Sequence, residues 1–198
     1  MIGPNLSSNQ LLLLVRPLRR FTLVKEAATD RPSDDLILQR TDLSILTAEC
    51  TIWERLAASD QVDLAVLSSA PGGQTAISET PLKSLVDFIE MATLPAAWSL
   101  ANIVPGGDNG EDAGSDMDEE LSLQDCEKVV ATSKALIVRA IVELSSKMDV
   151  SDRGFTWFWD TMGKWSAGTA RDDLVSCAFL VFGNAAREGK AVFEFSAE

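Results

Sequence analysis

Between residues 129 and 148 apolar side chains recur three and four positions apart. Val129, Leu136, Ala140, Leu144 and Met148 share a line with Ser133, and Val130, Ile137 and Ile141 widen it. This spacing follows the helical turn of roughly 3.6 residues, whereas a strand would need strict alternation. Lys128, Lys134 and Arg139 fall off the line. A helix with one broad apolar stripe must bury it against other helices, and the rest of the chain is written the same way. Leu43, Leu46, Cys50, Trp53 and Ala57 make a second stripe; Leu82, Leu85, Val86 and Ile89 a third. Phe155, Phe158, Trp159 and Met162 form a fourth, and Leu174, Ala178, Val181 and Ala185 a fifth. No segment alternates with period two. The fold class is all-α, which disfavours a parallel sheet and its nucleotide crevice.

Punctuation sets the boundaries. Residues 10–29 read as helix, with Pro17 a kink or the true start, and Asp30 to Asp35 as a loop. Asp60 is placed to cap a short helix carrying Leu64 and Leu67, which Pro71-Gly72-Gly73 ends. Thr80-Pro81 is a cap followed by proline at the first helical position. A short piece from Trp98 to Val104 stops at Pro105-Gly106-Gly107. Ser122 and Asp125, and again Thr169 and Asp172, have the spacing of helix starts, while Gly163 lies near a helix end. Asp108 to Glu120 holds seven acidic residues and no basic one, so it reads as a disordered loop. It lacks the glycine and the final glutamate at the spacing of a calcium loop. Three regions follow: N-terminal helical repeats over 1–104, an acidic flexible loop over 105–120, and repeat helices over 121–198.

The composition narrows the chemistry. Among 198 residues there is no histidine and no tyrosine. Histidine-based nucleophile activation and histidine-containing zinc sites are therefore closed to this chain. With 17 basic and 30 acidic residues the net charge is −13, which repels phosphate backbones and argues against nucleic-acid partners. No apolar run approaches the ~20 residues of a membrane span. Cys50, Cys126 and Cys177 are far apart with no CxxC, and read as buried small hydrophobes in a reducing compartment. Phosphate-loop, dinucleotide, nucleophile-elbow and zinc-protease motifs are all missing from the sequence. The expectation is a non-enzymatic binding module with no cofactor and no metal. Cytoplasmic location is expected; the Arg16 to Lys25 segment, basic and free of acids, keeps a small mitochondrial helical protein as an alternative.

The most specific stretch runs from Ala170 to Arg187. Cys177, Ala178, Gly183, Ala185 and Ala186 are small residues, which suit close neighbours on two sides of one helix. Its ending, Gly183-Asn184-Ala185-Ala186-Arg187, resembles the third helix of an armadillo repeat. More narrowly, the stretch is similar to the armadillo-repeat small-GTPase GDP-dissociation stimulator family, over about residues 155 to 190. The resemblance implies an α-solenoid that engages small GTPases of the Ras and Rho type with polybasic or prenylated tails, promoting GDP release or escorting them. It also implies Asn184 as a partner-binding residue, with Arg187 beside it. Leu180 stands where an importin-like groove has tryptophan, which argues against nuclear-signal binding. The bland reading of Asn184 is a hydrogen bond between helices, and that of Arg187 a solvated cation near a helix end. A generic helical adaptor without GTPase-directed activity is the alternative function.

Two structural expectations attach to this stretch. Gly183 should sit under a close neighbour, since a helical glycine is otherwise costly. The helix holding Cys177 and Phe182 should leave one face partly exposed, because so few residues follow Arg187; armadillo arrays usually run on, so a truncated array is expected. For the acidic segment, deleting Asp108 to Glu120 should leave the melting temperature nearly unchanged, and a large drop would show that it packs.

Overall fold

The computed structural model describes residues 38–60, 62–68, 80–91, 103–104 and 123–189. The described chain is mostly helical, as the stripes predict. Helix α1 spans Arg40–Ala58, α2 Leu64–Ser68, α3 Pro81–Met91 and α4 Leu123–Lys147. A 3-10 turn, Arg153–Phe155, leads into α5, Thr156–Lys164, and a π-helical turn, Trp165–Thr169, leaves it. Helix α6 spans Asp172–Arg187. The first helical block of the sequence, the acidic segment 105–120 and the chain beyond Gly189 lie outside the described residues.

One extended element joins the helices. Leu38–Gln39 (β1) pairs in parallel with Ile103–Val104 (β2), Leu38 opposite Ile103 and Gln39 opposite Val104. Of the short piece read from Trp98 to Val104, only Ile103 and Val104 are among the described residues, and they are extended rather than helical. Two β-branched residues just before Pro105 suit an extended backbone, because proline disfavours helix in the residue it follows.

Helix starts and stops follow local chemistry, with two shifts from expectation. Thr80 caps α3 through its hydroxyl, which accepts from Lys83 N at 3.2 Å, and Pro81 takes the first position as predicted. The carboxylate at the start of α2 belongs to Asp63, which accepts from Ala65 N at 2.9 Å, and not to Asp60. Gly163 lies one residue before the end of α5, as its position predicts, and Gly168 in the π-helical turn that follows has a φ of 76°, the left-handed conformation that favours glycine. Extended Arg171, rather than Thr169, precedes α6. Asp172 and Asp173 lie in the first turn of α6, where they complement its dipole.

The stripes meet in one core. Leu46, Cys50, Trp53 and Ala57 of α1 are buried, as are Leu82, Leu85, Val86, Phe88 and Ile89 of α3. Helix α4 packs against α1, α3 and α6. Its buried line is Val130, Ser133, Ile137, Ala140, Ile141, Leu144 and Met148, while Val129 and Leu136 are only partly covered. Phe158, Trp159 and Trp165 add the aromatic part and Met162 is buried in the same core, with Trp159 stacked on Phe182 of α6 at 6.3 Å between ring centroids. Trp157 is half-buried, edge-on to Phe158 at 6.1 Å.

Polar contacts fix the direction of packing. From α1 to α4, Thr47 meets Ser133 at 3.2 Å, Glu54 pairs with Arg139 at 3.1 Å, and Lys147 donates to the Ala57 and Ser59 carbonyls at 2.6 Å. From α4 to α6, Lys134 pairs with Asp173, and Val142 O accepts from Asn184 Nδ2 at 2.8 Å. Residue numbers rise together in both sets. Helices α1, α4 and α6 therefore run parallel, side by side, with α4 in the middle.

Gly183 overturns its expectation. It is exposed, and a Cβ built there would meet no atom within 4 Å. Its φ is not in the left-handed region, so nothing in the backbone requires glycine. Gly183→Ala should therefore stabilise the fold by about 0.4–1 kcal/mol through helix propensity and a less flexible unfolded chain. Urea melts of dilute protein test this, and a loss of stability would show that the position is covered.

Candidate protein-binding face

Helix α6 is one of the two outer members of the parallel trio, α1 being the other. Leu174, Cys177, Ala178, Val181, Phe182 and Ala185 face inward and are buried. Asp172, Asp173, Ser176, Phe179, Leu180, Gly183, Ala186 and Arg187 are exposed. Phe179 is 57% exposed and Leu180 55%, side by side at the middle of the helix. Such a pair off the buried stripe is where a partner helix or chain gains most from excluding water. The face expected to be left open is thus present on α6.

The two residues singled out from the sequence do not form one patch. Asn184 is half-buried and turned toward α4, its Nδ2 donating to Val142 O, which also accepts from Ser145 Oγ at 2.7 Å. This is the contact between helices. Arg187 is exposed in the last turn of α6. Sequence reasoning passed over Phe179, and weighed Leu180 only as a departure from an importin-like groove. Their signal was available: both are large and apolar, yet lie off the stripe of Leu174, Ala178, Val181 and Ala185.

The inner end of α6 is held by charge. Asp173 binds Lys134 and also accepts from Arg171 Nε at 3.2 Å. Burial alone would raise the Asp173 carboxyl, but the Lys134 hydrogen bond and the charges of Lys134 and Arg171 outweigh it and hold it below the usual range. Arg171 also donates to Ile89 O at 3.3 Å, and Trp165 Nε1 donates to Glu90 Oε1 at 3.0 Å. These two bonds fasten the C-terminal turn of α3 to the approach into α6.

Reactive chemistry is muted. Burial pushes the thiols of Cys50 and Cys177 up to about 12, so both are protonated at neutral pH and poor nucleophiles. Both are free and buried. Among the described residues no three His, Cys, Asp or Glu side chains gather to hold a metal ion. Among them, too, no helix is long and apolar enough to cross a membrane. Neither protein-family models, curated proteins nor solved structures give a match to this chain.

Among the described residues, Glu49 is the one carboxyl set against its surroundings. It is half-buried on α1, its Oε2 shut away from solvent with no hydrogen-bond partner among the described residues, and burial lifts it to about 7. An acid raised in the folded state binds its proton more tightly there than when unfolded. The contribution of Glu49 to stability is then greatest below the ordinary value of 4.5 and is lost as pH climbs through about 7. Glu49→Gln should raise the melting temperature at mildly alkaline pH, with the advantage vanishing in acid. Parallel pH profiles for the two proteins would show that Glu49 sits free in water.

Proposed function

We propose that this chain is a helical-repeat protein-binding module whose docking surface is the outer face of α6. The observation that carries the reading is the exposed Phe179–Leu180 pair at the centre of an outer helix. The parallel order of α1, α4 and α6 supports repeat architecture, in which equivalent helices of successive units stack side by side. Contacting residues of α4 and α6 are 39 and 42 positions apart, close to the ~40–47-residue armadillo or HEAT unit. Those of α1 and α4 are 85 to 90 apart, about two units, with α2, α3 and the acidic segment between.

The finer reading is that the partner is a small GTPase of the Ras or Rho type, following the resemblance of residues 170–187. Nucleotide release would then come from preferring the partner's nucleotide-free conformer, which needs no nucleophile. A net charge of −13 steers a polybasic tail toward the module. In this reading Arg187 faces the partner and Asn184 acts only through its hold on α4. The inward bond of Asn184 favours the second reading, a helical adaptor for other proteins, because the side chain meant to grip a backbone is engaged elsewhere.

Labelled-GDP release from prenylated and unprenylated Rho-type GTPases separates the two. The GTPase reading expects faster release with the intact chain and loss of that acceleration in Leu180→Glu. No acceleration with any GTPase would leave the adaptor.

A further inference from the structure

The exposed positions of α6 have an internal symmetry. Asp172, Ser176, Phe179, Gly183 and Ala186 are successively four, three, four and three residues apart, and Asp173, Ser176, Leu180, Gly183 and Arg187 follow the mirrored order. That is the seam spacing of two helices packed along their length. The whole set is also symmetric about the midpoint between Phe179 and Leu180. Reversing the helix exchanges Asp172 with Arg187, Asp173 with Ala186, Ser176 with Gly183, and Phe179 with Leu180.

We propose that a second copy of this chain covers this face, the two α6 helices packing antiparallel about a twofold axis between Phe179 and Leu180. The proposal rests on reading the outer face of α6 as a docking surface. A twofold interface requires a patch complementary to itself, and this one is. Phe179 of each copy meets Leu180 of the other at the centre. Ser176 faces Gly183, and these two small residues let the backbones approach on either side of the axis. At both ends Asp172 faces Arg187; neither has an ion-pair partner among the described residues. A parallel pairing would instead set Asp172 against Asp172 and Arg187 against Arg187.

This gives Gly183 a role where its own fold leaves open space. A helix of 16 residues is about 24 Å long, so one such pair lies at the small end of protein interfaces, below about 1,200 Å². The dimer is therefore reversible and dependent on concentration.

Analytical ultracentrifugation of the full chain at about 0.15 M salt, where repulsion between the two acidic chains is screened, tests the register. The intact chain should show a monomer–dimer equilibrium, and Leu180→Glu should be monomeric with unchanged helicity by circular dichroism. Asp172→Arg alone should weaken dimerisation about tenfold, since two symmetry-related ion pairs turn repulsive. Adding Arg187→Asp should restore it. No rescue by the double variant, or a dimer indifferent to Leu180→Glu, overturns the proposal. A monomer that binds a hydrophobic dye through Leu180 also overturns it, but keeps the docking face for an unlike partner. A monomer without dye binding overturns both readings. If deleting Lys190 to Glu198 then restores dye binding or produces a dimer, that segment is the occupant, and the proposal fails for the intact chain.

Discussion

Burial of the α4 stripe on more than one side is the constraint from which the rest of the arrangement follows. A helix of 25 residues with Ile137, Ala140, Ile141 and Leu144 fully buried cannot be satisfied by one neighbour. Helix α1 covers one side and α6 another, while α3 contributes Leu85, Phe88 and Ile89 to the same core. Each large apolar side chain so buried contributes about 1.5–3 kcal/mol. The polar groups within the seam are satisfied rather than excluded. Ser133 is fully buried yet meets Thr47 and the Cys50 thiol, and Ser145 bonds back to Val142 O. Left unpaired, such groups would cost as much as they now contribute to register.

The parallel order of α1, α4 and α6 follows from polar contacts at several levels. Lys147 closes the C-terminal carbonyls of α1, a natural place for a cation, and Asn184 does comparable work between α4 and α6. Parallel neighbours cannot be joined by a short turn, because the chain must return to the starting end before the next helix begins. Between α4 and α6 that return is made by α5 and its π-helical turn, with Gly168 allowing the final change of direction. An outer helix of such a set keeps a face that its described neighbours do not cover. Phe179 and Leu180 on α6 are that face, and their exposure follows from the same architecture that buries Ile137.

Much of the helical framework was legible in the residues because periodicity is a local property. The stripe of α1, the Thr80-Pro81 start of α3 and the buried Phe155, Phe158, Trp159 and Met162 all follow from three- and four-residue spacing and cap chemistry. The misplaced boundaries share one cause. Asp60 and Asp63 offer the same local chemistry a few positions apart, and only packing selects between them. The start of α6 beyond Thr169 likewise goes with a tertiary contact, since Arg171 is tied to Ile89 O.

The candidate site divides in the same way. The residues of α6 by themselves determined a helix with small and apolar positions on more than one side, but not which side would be covered. Tertiary structure decided that Asn184 looks inward to Val142, that Gly183 stands open, and that Phe179 and Leu180 meet water. It also lifted Glu49 toward neutrality by burying part of its carboxyl without a partner. The physical reason is that a spacing of three and four residues records which side chains share a face of one helix, whereas exposure and desolvation depend on neighbours that arrive from about 40 or more positions away.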